Sequence, residues 1–95
     1  VIPNRRVPCH PGEILLEEFL VPLGLTQVEF AAHLGIPLQR LNGIVRGKRG
    51  VSSDSAWLFA QSLGTSPEFW INLQSSYDLA RTRPTKRIRP VRRVG

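Results

Sequence analysis

The chain has 95 residues, 41% of them hydrophobic, a single cysteine and a formal net charge of +6. That length holds one small domain, and the apolar fraction can form a core without staples. The lone Cys9 excludes an internal disulfide framework and a cysteine-rich zinc site; no apolar run nears the roughly 20 residues that span a bilayer and no signal-peptide core opens the chain, so a cytoplasmic location is expected.

Residues 1–9 hold two prolines and no periodicity, and are expected to be extended. A first helix starts near Pro11, with Pro11 and Glu13 suited to its first turn. Ile14, Leu15, Phe19 and Leu20 form its buried stripe, and Pro22 and Gly24 stop it. In "LTQVEFAAHLG", Thr26 and Glu29 are spaced as a capping box, each side chain serving the other's orphan amide. The helix over about 27–34 then turns Val28, Ala31 and Leu34 to one apolar face, with Phe30 beside it and Gly35 at its end.

After the turn at Gly35-Ile36-Pro37, a third helix runs from about 38 to 46. Leu41, Ile44 and Val45 face inward; Gln39, Arg40, Asn42 and Arg46 are left outside. Gly47 ends it. Ser52 caps a fourth helix over 53–63 with Ala56, Phe59, Ala60 and Leu63 inward, which leaves Leu58 facing out beside Trp57. Gly64 stops it. Ser66-Pro67 starts a fifth helix over 67–80, on which Phe69, Trp70, Leu73, Tyr77 and Ala80 share a side. No segment shows a strand's period of two.

The charge is uneven. Residues 81–95 hold seven basic side chains (Arg81, Arg83, Lys86, Arg87, Arg89, Arg92 and Arg93) and no acid, whereas residues 1–80 hold six basic and seven acidic groups. The chain therefore divides into an all-α, five-helix domain over 1–80 and a basic tail over 81–95. The tail is expected to be disordered or extended. It reads as a solubilising end, a nonspecific DNA clamp or an appended remnant.

Two short helices joined by a glycine-containing turn, the second with a polar outer face, describe a helix-turn-helix. The first braces the second, which lies in the major groove, where base edges present distinct donor and acceptor patterns. Gln can pair with adenine there and Arg with guanine. Pro37 and Gly43 are unusual in such a helix. Pro37 sits at its leading edge, where a missing amide is harmless, but gives no side-chain cap, which forgoes about 1 kcal/mol. Gly43 costs roughly another 1 kcal/mol relative to alanine. It either lets the backbone approach DNA closely or is a neutral change in a helix held by its core face.

The stretch around "LTQVEFAAHLG", taken with "HPGEIL", "GTSPEFW" and "LQSSYDL", resembles the HigA-type (VapI-like) antitoxins of the Xre/Cro helix-turn-helix family over about residues 8–80. The resemblance implies a Cro/repressor-like five-helix fold and a homodimer that binds double-stranded operator DNA and represses its own operon. It also implies neutralisation of a HigB/RelE-like mRNA endonuclease toxin, in a bacterial cytoplasm and at the nucleoid when operator-bound. Gln27 falls on a phosphate-contact position of the family, and Leu38, Gln39 and Gly43 on base-reading positions. Leu38 can touch only a thymine methyl and Gly43 has no side chain, so readout falls on Gln39, Arg40 and Asn42. Arg46, Lys48 and Arg49 sit where the family meets phosphate.

The remaining candidates divide. Trp70, Leu73 and Tyr77 are either core or a dimer or partner interface. Cys9-His10 is a neighbouring pair without a third ligand or an orienting group, His33 falls on the exposed side of its helix, and Glu17-Glu18 point different ways. No catalytic group, metal or cofactor is therefore expected, and no membrane. A stand-alone repressor without a toxin, and an interaction module with degenerate readout, stay open beside the antitoxin.

Overall fold

The computed structural model describes residues 9–82 and 84–91. Residues 1–8 of the expected extended segment, with Arg83, Arg92 and Arg93 of the tail, lie outside them. Among the described residues there are five helices and no strand. Helix α1 runs over residues 11–23 in three continuous stretches, α-helical Pro11–Ile14, π-helical Leu15–Leu20 and α-helical Val21–Leu23. Then come α2 (Gln27–Leu34), α3 (Leu38–Val45), α4 (Ser53–Leu63) and α5 (Pro67–Arg81).

Pro22 does not stop α1. The N–H of Val21 reaches back five residues to the carbonyl of Leu16, so the wider π turn takes the proline without the clash it would make in a regular α turn. The helix ends two residues later at Gly24, whose φ is 68°. On α2 the capping box is closed: Thr26 Oγ1 accepts from Glu29 N–H at 3.0 Å and Glu29 Oε1 from Thr26 N–H at 2.9 Å. The buried face of α2 differs from the expected one. Phe30 and Ala31 are buried, while Val28 is 62% exposed, because at about 100° per residue it lies roughly 110° round the helix from the line between those two.

The core is built from α1 (Ile14, Leu15, Leu20), α2 (Phe30, Ala31), α3 (Leu41, Ile44), α4 (Ala56, Phe59) and α5 (Trp70), with Val51 of the α3–α4 loop. Trp70 is its hub. Its ring lies 5.4 Å from that of Phe19, 5.1 Å from Phe59 and 5.0 Å from Phe69, and its indole N–H donates to Thr65 Oγ1 at 2.7 Å. A wholly buried, hydrogen-bonded indole has no surface for a partner, so Trp70 belongs to the core and not to an interface. Leu73 and Tyr77, on the same side of α5, are half-buried, and Ala80 is exposed. On α4 Trp57 is exposed, and Leu58 is half-buried rather than facing out. Residues 84–91 carry neither helix nor strand and are exposed. No helix among the described residues is long and apolar enough to cross a membrane.

Candidate nucleic-acid interface

Helix α3 carries the candidate site. Pro37 is its N-cap and makes no side-chain capping bond. Leu41 and Ile44 are buried, and the 3.6-residue period then turns Gln39, Gly43 and Arg46 to the opposite side. Of the residues expected to meet DNA, Gln39, Arg46, Lys48 and Arg49 are exposed and Leu38 is 43% exposed.

Arg40 and Asn42 are engaged elsewhere. One guanidinium nitrogen of Arg40 donates to Asp54 Oδ2 at 3.0 Å and to Ser55 Oγ at 3.1 Å, both in the first turn of α4. Asn42 Nδ2 donates to Gln27 Oε1 at 3.1 Å, across to the first residue of α2. These two side chains lie on the flanks of α3, where neighbouring helices meet them first. They orient the helix rather than standing free for readout. The Asn42 bond uses the oxygen of Gln27 and leaves its NH2 as a donor at the start of α2.

Three further contacts fix α3, and the sequence reading missed the residues that make them. Gly12 of α1 packs on the α3 backbone so closely that an added Cβ would fall 1.8 Å from the Ile44 carbonyl oxygen. His10 is the N-cap of α1; its Nδ1 accepts from Gly12 N–H at 2.9 Å, its ring meets Tyr77 edge-on at 4.8 Å, and it lies against the turn that ends α3, 3.7 Å from where a Cβ on Gly47 would sit. Gln74 of α5 accepts from Val51 N–H at 2.7 Å and so ties down the loop after α3. "HPG" could have been read as a capped helix start with a close approach. Nothing local marked Gln74.

Burial holds His10 below the ordinary value of 6.5, outweighing the opposite pull of the Arg49 backbone and of Asp78 and Glu13; Arg81 acts with burial. The unfolded chain then binds the proton more readily than the folded one. Stability from this site is complete above pH 6.5 and declines as pH falls through the folded value. Thermal unfolding measured from pH 7.5 to 5 is expected to show a falling Tm for the wild type and a flatter profile for His10→Asn, which can still cap α1. Identical profiles would contradict the neutral, amide-accepting His10.

From Gly35 to Gly50 there are four basic residues and no acid. Among the described residues no group of three or more His, Cys, Asp or Glu side chains could hold a metal. The geometry is that of an exposed cationic helix edge, braced from behind by α1 and α2 and from its flank by α4.

The family model for Helix-turn-helix, HTH_3, matches residues 16–70. The chain is similar to Virulence-associated protein I of Dichelobacter nodosus, 41% identical over 76 residues, which is 80% of this chain and 70% of that protein. It is similar to Antitoxin HigA-1 of Vibrio cholerae, 38% identical over 81 residues, 84% of this chain and 75% of that protein. Among solved structures, the Pseudomonas aeruginosa antitoxin HigA with the higBA promoter aligns with a TM-score of 0.75 at 44% identity, over 77% of this chain and 79% of that one. The proteins of this group are DNA-binding regulators and antitoxins, not enzymes. With more than half of its length matched by the family model and its α2–α3 pair standing as the motif requires, the chain belongs to the Xre-type helix-turn-helix family.

Proposed function

We propose that this chain is the antitoxin of a type II toxin–antitoxin pair. It binds operator DNA as a homodimer, represses its own operon and neutralises a HigB/RelE-like mRNA endonuclease. The observation that carries the DNA-binding part is the exposed edge of α3 and its following loop, where Gln39, Arg46, Lys48 and Arg49 stand together while Arg40 and Asn42 hold the helix in place. The solved HigA relative with promoter DNA supports the same reading. Gln39 reads a base edge, Gln27 and Arg46 meet phosphate, and two α3 helices about 34 Å apart match half-sites one turn of DNA apart. The basic tail adds nonspecific phosphate contacts. Leu73 and Tyr77, the half-buried residues of α5, supply the protomer or toxin contact. The protein works in the cytoplasm, at the nucleoid when bound.

A gel shift with the DNA upstream of the gene tests this. Wild-type protein is expected to prefer that DNA over unrelated sequence. Gln39→Ala is expected to weaken operator binding by roughly 5- to 150-fold with loss of sequence preference, and Arg46→Ala to lower the salt slope by about 1. Equal binding to both DNAs would leave only an interaction module. Co-expression with the neighbouring gene product tests the antitoxin half: growth rescue and co-purification are expected, and their absence alongside operator binding would leave a stand-alone repressor.

A further inference from the structure

We infer that Arg49, outside the recognition helix, is a base-reading residue whose approach to the DNA is set by Gly43. Its target is a guanine in each operator half-site. The inference rests on the DNA-binding reading above and gives it a specificity-determining side chain.

Three observations place Arg49 in the readout face. First, Gly43 lies at the middle of the outward stripe, between Gln39 and Arg46. A Cβ built on it would meet Arg49 Cδ at 2.9 Å, Cγ at 3.1 Å and Nε at 3.2 Å. The aliphatic stem of Arg49 therefore lies over the bare backbone of Gly43, in the place a side chain would take. Second, the root of Arg49 is fixed. The chain reverses at Gly47, whose φ of 77° is open to glycine. The N–H groups of Lys48 and Arg49 then both donate to the Gly43 carbonyl, at 2.9 and 3.0 Å, and the ring of buried His10 lies behind this turn, 3.7 Å from where a Cβ on Gly47 would sit. Third, no side-chain hydrogen bond or ion pair holds the Arg49 guanidinium among the described residues, whereas Arg40, the arginine within α3, is committed to Asp54.

A fixed root, a stem laid along the helix and an unpaired planar fork are what bidentate recognition of guanine O6 and N7 needs. Preorganisation also lowers the rotamer entropy lost on binding. In this arrangement the missing side chain of Gly43 is the seat of a longer one supplied six residues on.

The experiment measures binding of wild type, Arg49→Lys and Gly43→Ala to the chain's own upstream DNA. A set of operator variants in which each guanine is replaced in turn, and a range of salt concentrations, complete it. Arg49→Lys keeps the charge and loses the fork. It is expected to bind the operator about 10- to 100-fold more weakly, with the salt slope unchanged, and to become indifferent to one guanine per half-site. Gly43→Ala, in which the new methyl displaces the Arg49 stem, is expected to lose preference for that same guanine while keeping wild-type circular dichroism. Wild-type affinity and unchanged base preference in Arg49→Lys would overturn the inference while leaving operator binding intact. A Gly43→Ala protein that still prefers the guanine would overturn the seating role. Wild-type protein that shows no preference for its upstream DNA would instead overturn the DNA-binding reading, and this inference with it.

Discussion

Gly12→Ala is expected to destabilise the domain by about 3 kcal/mol or more, which for a domain of this size is a fall in Tm of roughly 12–24 °C. The reason lies in what the new methyl would strike. It would sit 1.8 Å from the carbonyl oxygen of Ile44, 2.6 Å from the carbonyl carbon and 2.9 Å from Val45 Cα. All three are main-chain atoms inside α3, so none can rotate away. The helices must separate, and Leu41 and Ile44 lose their dense packing as they do. Since α3 carries the proposed DNA face, the same substitution is expected to weaken operator binding even at temperatures where the variant is folded. Thermal unfolding followed by circular dichroism reads the first effect. A Tm within 3 °C of wild type would mean that α1 and α3 do not approach as described.

Trp70→Ala is expected to cost about 3–5 kcal/mol, the range for truncating a large aromatic in a packed core. Three aromatic rings lean on this indole, and Thr65 loses its partner at 2.7 Å. Trp70→Phe keeps most of the ring contacts and is expected to cost less than half as much. The pair of variants separates core from interface. If Trp70 serves the fold, unfolding midpoints in denaturant fall by the same amount at low and high protein concentration. A loss confined to low concentration, with the folded monomer unharmed, would return Trp70 to a subunit contact. Exposed Trp57 stays as a fluorescence reference in both variants.

Much of the fold was legible in the residues. Helix starts and stops follow from local chemistry: Thr26 with Glu29, Ser52, Ser66 before Pro67, and the glycines at 35 and 64 act through atoms within four residues of themselves. Periodicity put Leu41, Ile44, Ala56 and Phe59 inside for the same reason. It failed where packing outvoted it. Val28 shares a helical face with Ala31, but the buried line of α2 runs through Phe30 and Ala31 and leaves Val28 exposed. Pro22 has the chemistry of a stop, but a π turn upstream absorbs it.

The candidate site was legible as a location and not as an arrangement. Sequence alone determined that residues 38–49 make a cationic helix and loop without an acid, since charge and period are local properties. Which of those side chains stand free was decided by the tertiary structure. Asp54 and Ser55 take Arg40, Gln27 takes Asn42, and Arg49 folds back over Gly43. The partners of Arg40 and Asn42 come from α4 and α2, more than a dozen positions away in the chain. A hydrogen bond across such a span depends on how helices are stacked, and that stacking is set by Gly12, His10, Gln74 and Trp70 acting through space.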